Sequence, residues 1–184
     1  VNFRSTNRKL AGETASLVEL PTGKNLMRES DLVKEKKYIE IQYDAETQKN
    51  MRAYCDTHGL DLTISSDGLP QSAEDFDFHS TVWFTTSEHQ LGNQTQDVYV
   101  TASPRSLAVF GSGRPVLVLE INSTSLEHIR SQFGEAHNMQ DMWPDYNPHI
   151  TLSYNHDSKT PPNIPLPDFQ LVATQLNIKT QKSS

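Results

Sequence analysis

Cysteine occurs once, at Cys55, so no disulfide can close within the chain, and no cysteine cluster of the structural-zinc type is present. No apolar stretch approaches the ~18 residues that cross a bilayer as a helix, and no secretory hydrophobic segment stands at the start of the sequence. Basic residues are scarce too. There are 16 Lys and Arg against 23 Asp and Glu, a formal net charge of −7. A protein that grips long DNA or RNA carries a basic face that neutralises several phosphates. These shortages argue against a disulfide-stapled domain, a helical membrane protein and an extended polynucleotide footprint. They favour a small ligand held by a few specific contacts. The 184 residues suffice for one domain with a sizeable core.

Two short apolar segments each carry a histidine followed two residues later by a threonine. One is Phe78-His79-Ser80-Thr81-Val82-Trp83-Phe84 and the other is Pro148-His149-Ile150-Thr151-Leu152-Ser153-Tyr154. On a β-strand, residues i and i+2 share a face, so His79 pairs with Thr81 and His149 with Thr151. If the two strands lie side by side, two imidazoles and two hydroxyls converge. That set suits a phosphodiester: one base, one acid, and short donors for the phosphoryl oxygens. A third match, His156-Asp157-Ser158, precedes Lys159-Thr160-Pro161-Pro162 and reads as loop.

The two segments resemble the paired His-apolar-Thr/Ser-apolar signatures of the 2H phosphoesterase superfamily. Over about residues 35–156 the chain is similar to the phage anti-CBASS cyclic-oligonucleotide phosphodiesterases. That stretch takes in Lys37-Tyr38-Ile39-Glu40-Ile41, Leu107-Ala108-Val109-Phe110-Gly111, Leu117-Val118-Leu119-Glu120-Ile121 and Asp145-Tyr146-Asn147-Pro148-His149. Ser80 departs from the pattern, standing where the superfamily usually has an apolar residue. The resemblance implies an α+β, bilobal fold of two antiparallel sheets with flanking helices and a central cleft. It also implies chemistry that needs no metal or other cofactor.

Residues 1–35 read as an extension or linker, 36–179 as the 2H domain and 180–184 as a frayed tail. The sequence opens on Val1, which suggests a processed product or a piece of a longer polypeptide. A strand is expected at 38–43 and a helix from Ala45 to His58, stopped by Gly59, with Met51, Tyr54 and Cys55 facing the core. Leu60–Ile64 offers a short strand, followed by loop to Asp77. Separate strands are expected at 97–101, 107–110 and 115–121. A capping box, Thr124-Ser125-Leu126-Glu127, opens a helix that Gly134 ends. The last strand is expected at 169–178.

Four aromatics are candidates for stacking on a base, which contributes ~1–3 kcal/mol per base. Trp83 is i+2 from Thr81 and is expected on the cleft side. Tyr38 opens the first strand, where the resembling enzymes set an aromatic against the nucleobase. Trp143 lies in the loop before the second motif. Tyr154 is at odd spacing from His149 and is expected behind the sheet. His58, His89 and His128 read as structural, and His137 is the remaining histidine with a claim to ligand contact. Arg105 and Arg114 could each clamp a phosphate or simply be solvated.

The expected activity is metal-independent cleavage of 3′,5′-phosphodiester bonds in small cyclic di- or trinucleotide immune signals, with His79, Thr81, His149 and Thr151 catalytic and Tyr38, Trp83 and Trp143 binding substrate. The setting would be a viral counter-defence enzyme in the host cytoplasm. One rival is an RNA-processing 2H enzyme acting on 2′,3′-cyclic phosphate or 2′,5′-linked ends. Another is a domain that sequesters nucleotide without cleaving it, or serves a virion structurally. The sequence leaves oligomeric state, base preference and the acid and base assignment of the two histidines open.

Overall fold

The structure, a computed structural model, describes residues 35–86, 92–111, 113–137 and 145–182. Residues 1–34 and Trp143 lie outside the described residues. The compact unit that carries the site comprises Lys36–Gln181.

Among the described residues, six strands and two α-helices form it, besides a short 3-10 turn at Ala73–Asp75. In chain order they are β1 (Glu35–Tyr43), α1 (Ala45–Thr57), β2 (His79–Thr86), β3 (Gln94–Phe110), β4 (Val116–Asn122), α2 (Thr124–His137), β5 (His149–Ser153) and β6 (Leu171–Lys182). The strands join in the order β2-β1-β6-β3-β4-β5. The two halves expected from the sequence therefore meet through one shared element. Residues 94–102 of β3 pair antiparallel with β6, and residues 103–110 pair antiparallel with β4. The two histidine motifs occupy the outer strands β2 and β5 at opposite ends of this order.

The long β3 replaces the two separate strands expected at 97–101 and 107–110. Pro104, which cannot donate to a ladder, lies between those two stretches. The strand absorbs it with a bulge between Pro104 and Ser106, one of the few places a strand interior tolerates proline. The strand expected at Leu60–Ile64 is reduced to a single bridge between Ile64 and Pro70. Asp61 Oδ1 accepts from the Thr63 backbone N–H at 2.8 Å, a local turn that competes with a ladder. At the other end β6 runs to Lys182 rather than fraying at Thr180. Thr180 is held there by the Lys37 ammonium at 2.7 Å and by Asn93 at 2.9 Å.

Helix α1 begins as expected, with Asp44 Oδ1 accepting from the Thr47 N–H. Gly59 stops it at φ +66°, a left-handed conformation that glycine adopts without Cβ strain. Met51, Tyr54 and Cys55 are buried, and burial pushes the Cys55 thiol up to about 12, as suits a packing residue. Helix α2 is capped one residue earlier than the capping box implied. Ser123 Oγ accepts from the Leu126 N–H at 3.0 Å and donates to Thr101 O at 2.7 Å, which ties the helix start to β3. The helix also passes through Gly134 and ends at His137.

Ile39 and Ile41 of β1, Leu117, Leu119 and Ile121 of β4, and Ile150 and Leu152 of β5 point to the core with Leu126 and Phe133 of α2. This leaves the alternate residues of the same strands to line the opposite face.

Candidate active site

On β5 the alternation holds. Ile150 and Leu152 are fully buried, while His149 and Thr151 are half-buried on the other face. On β2 it holds for His79 and Thr81, then breaks. Glu40 pairs with Thr81, but Ile39 pairs with Trp83, so Val82 is an extra residue in the ladder. A bulge of this kind reverses which side the following residues face. Trp83 therefore joins Ile39 on the core side, not the cleft side that its spacing predicted. Its Nε1 donates to Arg130 O on α2 at 3.0 Å, and the Arg130 guanidinium stacks on the indole at 4.0 Å. The same bulge brings Phe84 opposite Tyr38, and the two rings stack at 4.5 Å. Of the three substrate-binding candidates, Tyr38 shares the histidine face, Trp83 does not, and Trp143 lies outside the described residues.

The two histidines are held alike. His79 Nδ1 lies 3.2 Å from Asp77 O and His149 Nδ1 lies 2.9 Å from Asn147 O. A carbonyl only accepts, so each Nδ1 carries the hydrogen and each Nε2 is left for other work. In both cases the acceptor is the residue two positions earlier in the chain. Burial lowers the pKa of His149, and His79 lowers it further, against raising contributions from the Asn147 carbonyl and the Glu120 carboxylate.

Each histidine strand is flanked by a glutamate on its inner neighbour. Glu40 of β1 is 94 % buried by its 6 % exposure, with Oε1 at 4.0 Å from His79 Nε2. Glu120 of β4 lies opposite His149. It accepts from Ser106 at 2.6 Å and from Asn147 Nδ2, and these two bonds hold its carboxyl below the usual carboxylate range. Arg105 donates to Asn147 Oδ1 at 2.8 Å and stands 3.8 Å from Glu120. It is thus the arginine beside His149, whereas the Arg114 guanidinium lies against Gly68. Phe110 meets the His149 ring edge-on at 5.0 Å. His137 instead packs its ring on Phe133 of the same helix at 4.4 Å.

Tyr154, expected behind the sheet, packs against the core, with its ring 5.7 Å from that of buried Phe76. Burial raises the pKa of the Tyr154 hydroxyl, and the nearby Thr151 side chain acts in the opposite sense.

One group among the described residues offers ligand atoms for a cation. Glu40, Asp77 and His79 present them within 4.8 Å of one another. Side chains already answer both carboxylates, since the Lys179 ammonium is 3.1 Å from Glu40 Oε2 and Gln42 Nε2 donates to Asp77 Oδ1.

The model of the family described as anti-CBASS protein Acb1 matches residues 35–178. The chain belongs to this family. It is a phosphodiesterase with a counter-defence role. No curated protein matches it. Among solved structures it is similar to E. coli LigT complexed with 3′-AMP, at 15 % identity and a TM-score of 0.49, covering 82 % of this chain and 89 % of that one. LigT complexed with phosphate gives 16 % and 0.45 over 83 % and 89 %. LigT in apo form gives 14 % and 0.47 over 83 % and 95 %.

The anti-CBASS phosphodiesterase thus carries two residue groups that its sequence alone did not single out. Around His79 they are Glu40, Asp77 and Lys179, and around His149 they are Ser106, Glu120, Asn147 and Phe110. A signal for the glutamates was present. Ile39-Glu40-Ile41 and Leu119-Glu120-Ile121 each set one carboxylate inside an otherwise apolar strand.

Proposed function

We propose that this chain cleaves the 3′,5′-phosphodiester bonds of small cyclic oligonucleotides without a metal ion, using His79 and His149 as the acid and base pair. The observation that carries the reading is the matched presentation of the two imidazoles, each with Nδ1–H bonded to a backbone carbonyl and Nε2 left over.

The chemistry follows from what surrounds each ring. The lowered pKa of His149 keeps it neutral near pH 7, the form that accepts a proton from the attacking hydroxyl or water. A proton carried on His79 Nε2 has the buried Glu40 carboxylate beside it, and it would pass to the departing ribose oxygen. Bond formation to phosphorus and bond cleavage then each involve one proton transfer, with no net change at the histidine pair. Thr81 and Thr151 would donate to the non-bridging oxygens, where one such donor is worth ~3 kcal/mol of barrier. Tyr38, backed by Phe84, offers a flat surface for one base. The acidic balance of the chain suits a short substrate rather than a long RNA.

The test is a cleavage assay in excess EDTA that follows a 3′,3′-cyclic dinucleotide and a 2′,3′-cyclic mononucleotide side by side. His79→Ala and His149→Ala serve as controls. Rapid loss of the dinucleotide, abolished by either substitution, is the expected result. Turnover of the 2′,3′-cyclic substrate alone would move the chain to RNA-end processing. Nucleotide held unchanged, with binding intact in His79→Ala, would make it a sequestering protein.

A further inference from the structure

The two histidine strands are the outer strands of the sheet order, so the ladder that runs through the other four strands does not itself set the distance between them. Yet His79 and His149 must face a single phosphorus, and proton transfer needs heavy atoms within ~2.6–3.2 Å. Something other than strand pairing has to hold the seam.

Two side-chain hydroxyls do so in opposite directions. Ser80 Oγ, between His79 and Thr81, donates to His149 O at 2.8 Å. Tyr146 Oη, three residues before His149, donates to Thr81 O at 2.7 Å. Each bond starts beside one motif and lands on the backbone carbonyl of a motif residue in the other. Both donors are themselves held. The single hydrogen of Ser80 is spent on His149 O, so the Tyr43 hydroxyl, 2.8 Å from Ser80 Oγ, must be the donor to it. Tyr43 is buried, and burial raises its pKa, which keeps that donor protonated. The Tyr146 ring lies under the Arg130 guanidinium at 4.1 Å, and that guanidinium also stacks on the Trp83 indole and donates through Nε to Val82 O at 3.1 Å.

We propose that Ser80 and Tyr146 form a reciprocal clasp that sets the separation of His79 and His149, making both positioning residues for the two-histidine reaction. The departure at Ser80 from the apolar residue usual in the superfamily motif has a purpose in this chain. A valine or isoleucine there would lose the donor. The inference rests on the two-histidine reading for its effect on rate, while the clasp itself can be read without substrate.

The variants are Ser80→Ala, Tyr146→Phe and the double, in the full chain, with Ser80→Thr as the conservative control. Each single variant should lower kcat on a 3′,3′-cyclic dinucleotide about 10-fold or more, since misplacing a catalytic group by an ångström can cost ~10²-fold. KM should stay within about 2-fold in this frame of uniform substrate binding. The defect should shrink on a nucleoside 4-nitrophenyl phosphodiester, whose leaving group departs without a proton and so asks only one histidine to be placed. Ser80→Thr should keep most of the activity. Equal losses on both substrates would indicate general structural damage and overturn the proposal. So would kcat within about 2-fold of the parent in both single variants and the double, because nothing would then have moved.

A ring-proton NMR titration of both histidines supplies the second readout. The influence of His79 on the His149 titration should weaken in the double variant. Unchanged coupling overturns the clasp whatever the substrate proves to be. Retained cleavage in His79→Ala or His149→Ala, with coupling lost in the double variant, would overturn the reaction scheme and leave the clasp standing.

Discussion

The Trp83 indole closes on Gly134 of α2: a β-carbon on that glycine would meet indole Cζ2 at 2.5 Å. This contact explains why a glycine stands inside the helix rather than after it. In an exposed helix interior, Gly→Ala would gain ~1 kcal/mol. Here the added methyl enters occupied space, and overpacking a core costs ~1–3 kcal/mol. Gly134→Ala should therefore lower the midpoint of thermal unfolding. A raised midpoint would mean that the indole does not rest there.

Trp83→Phe separates the structural role from the ligand role suggested by strand spacing. The substitution deletes the donor to Arg130 O and shrinks the ring beneath the guanidinium. Arg130 O keeps its partner within the helix, so the loss is that of one net hydrogen bond, ~0.5–1.5 kcal/mol. The expected result is a less stable protein with unchanged KM. A several-fold rise in KM at unchanged stability would put Trp83 on the substrate after all.

Thr81→Val and Thr151→Val keep the branched shape of each side chain and remove the hydroxyl. Each should lower kcat by ~10²-fold, the loss typical of one oxyanion donor. Tyr154→Phe offers a graded comparison. It leaves the Thr151 hydroxyl in place but removes the neighbouring Tyr154 hydroxyl, so it should cost only several-fold. Single-turnover rates at saturating substrate measure all three. If Tyr154→Phe matched Thr151→Val, the tyrosine rather than the threonine would be the donor.

The sequence made the motif strands legible because period-2 alternation survives in them: His149 and Thr151 face one way, Ile150 and Leu152 the other. It also gave the start and stop of α1, where Asp44 and Gly59 act through local backbone chemistry. What it hid were departures from a period. The extra residue at Val82 turned Trp83 to the core, and Pro104 was absorbed by a bulge that no local rule announces. Gly134 looked like a helix end because its reason is a tertiary contact. Glu40 and Glu120 were visible as carboxylates in apolar strands, but their partners Lys179, Ser106 and Asn147 come from elsewhere in the chain. Long-range pairings of this kind leave no spacing to read.

The charge state of His149 gives a prediction in pH. Burial is the largest cause of its lowered pKa, and the ordinary imidazole value it departs from is 6.5. Between the folded pKa and the unfolded value of ~6.5, the unfolded chain binds more protons at this site, so stability rises with pH across that window. The contribution is present in full above the unfolded value and is lost as pH falls through the folded one. The same shift keeps the neutral imidazole available as a base in mildly acidic solution, so the acid limb of kcat/KM should lie below pH 6.5. The neighbours move it in opposite senses. Glu120→Gln removes a carboxylate that raises the His149 pKa and should carry it lower still, while His79→Ala removes a lowering influence and should let it rise. NMR titration of the His149 ring in the three proteins tests both signs. A parent value above 6.5, or shifts in the reverse order, would mean that burial does not govern this histidine.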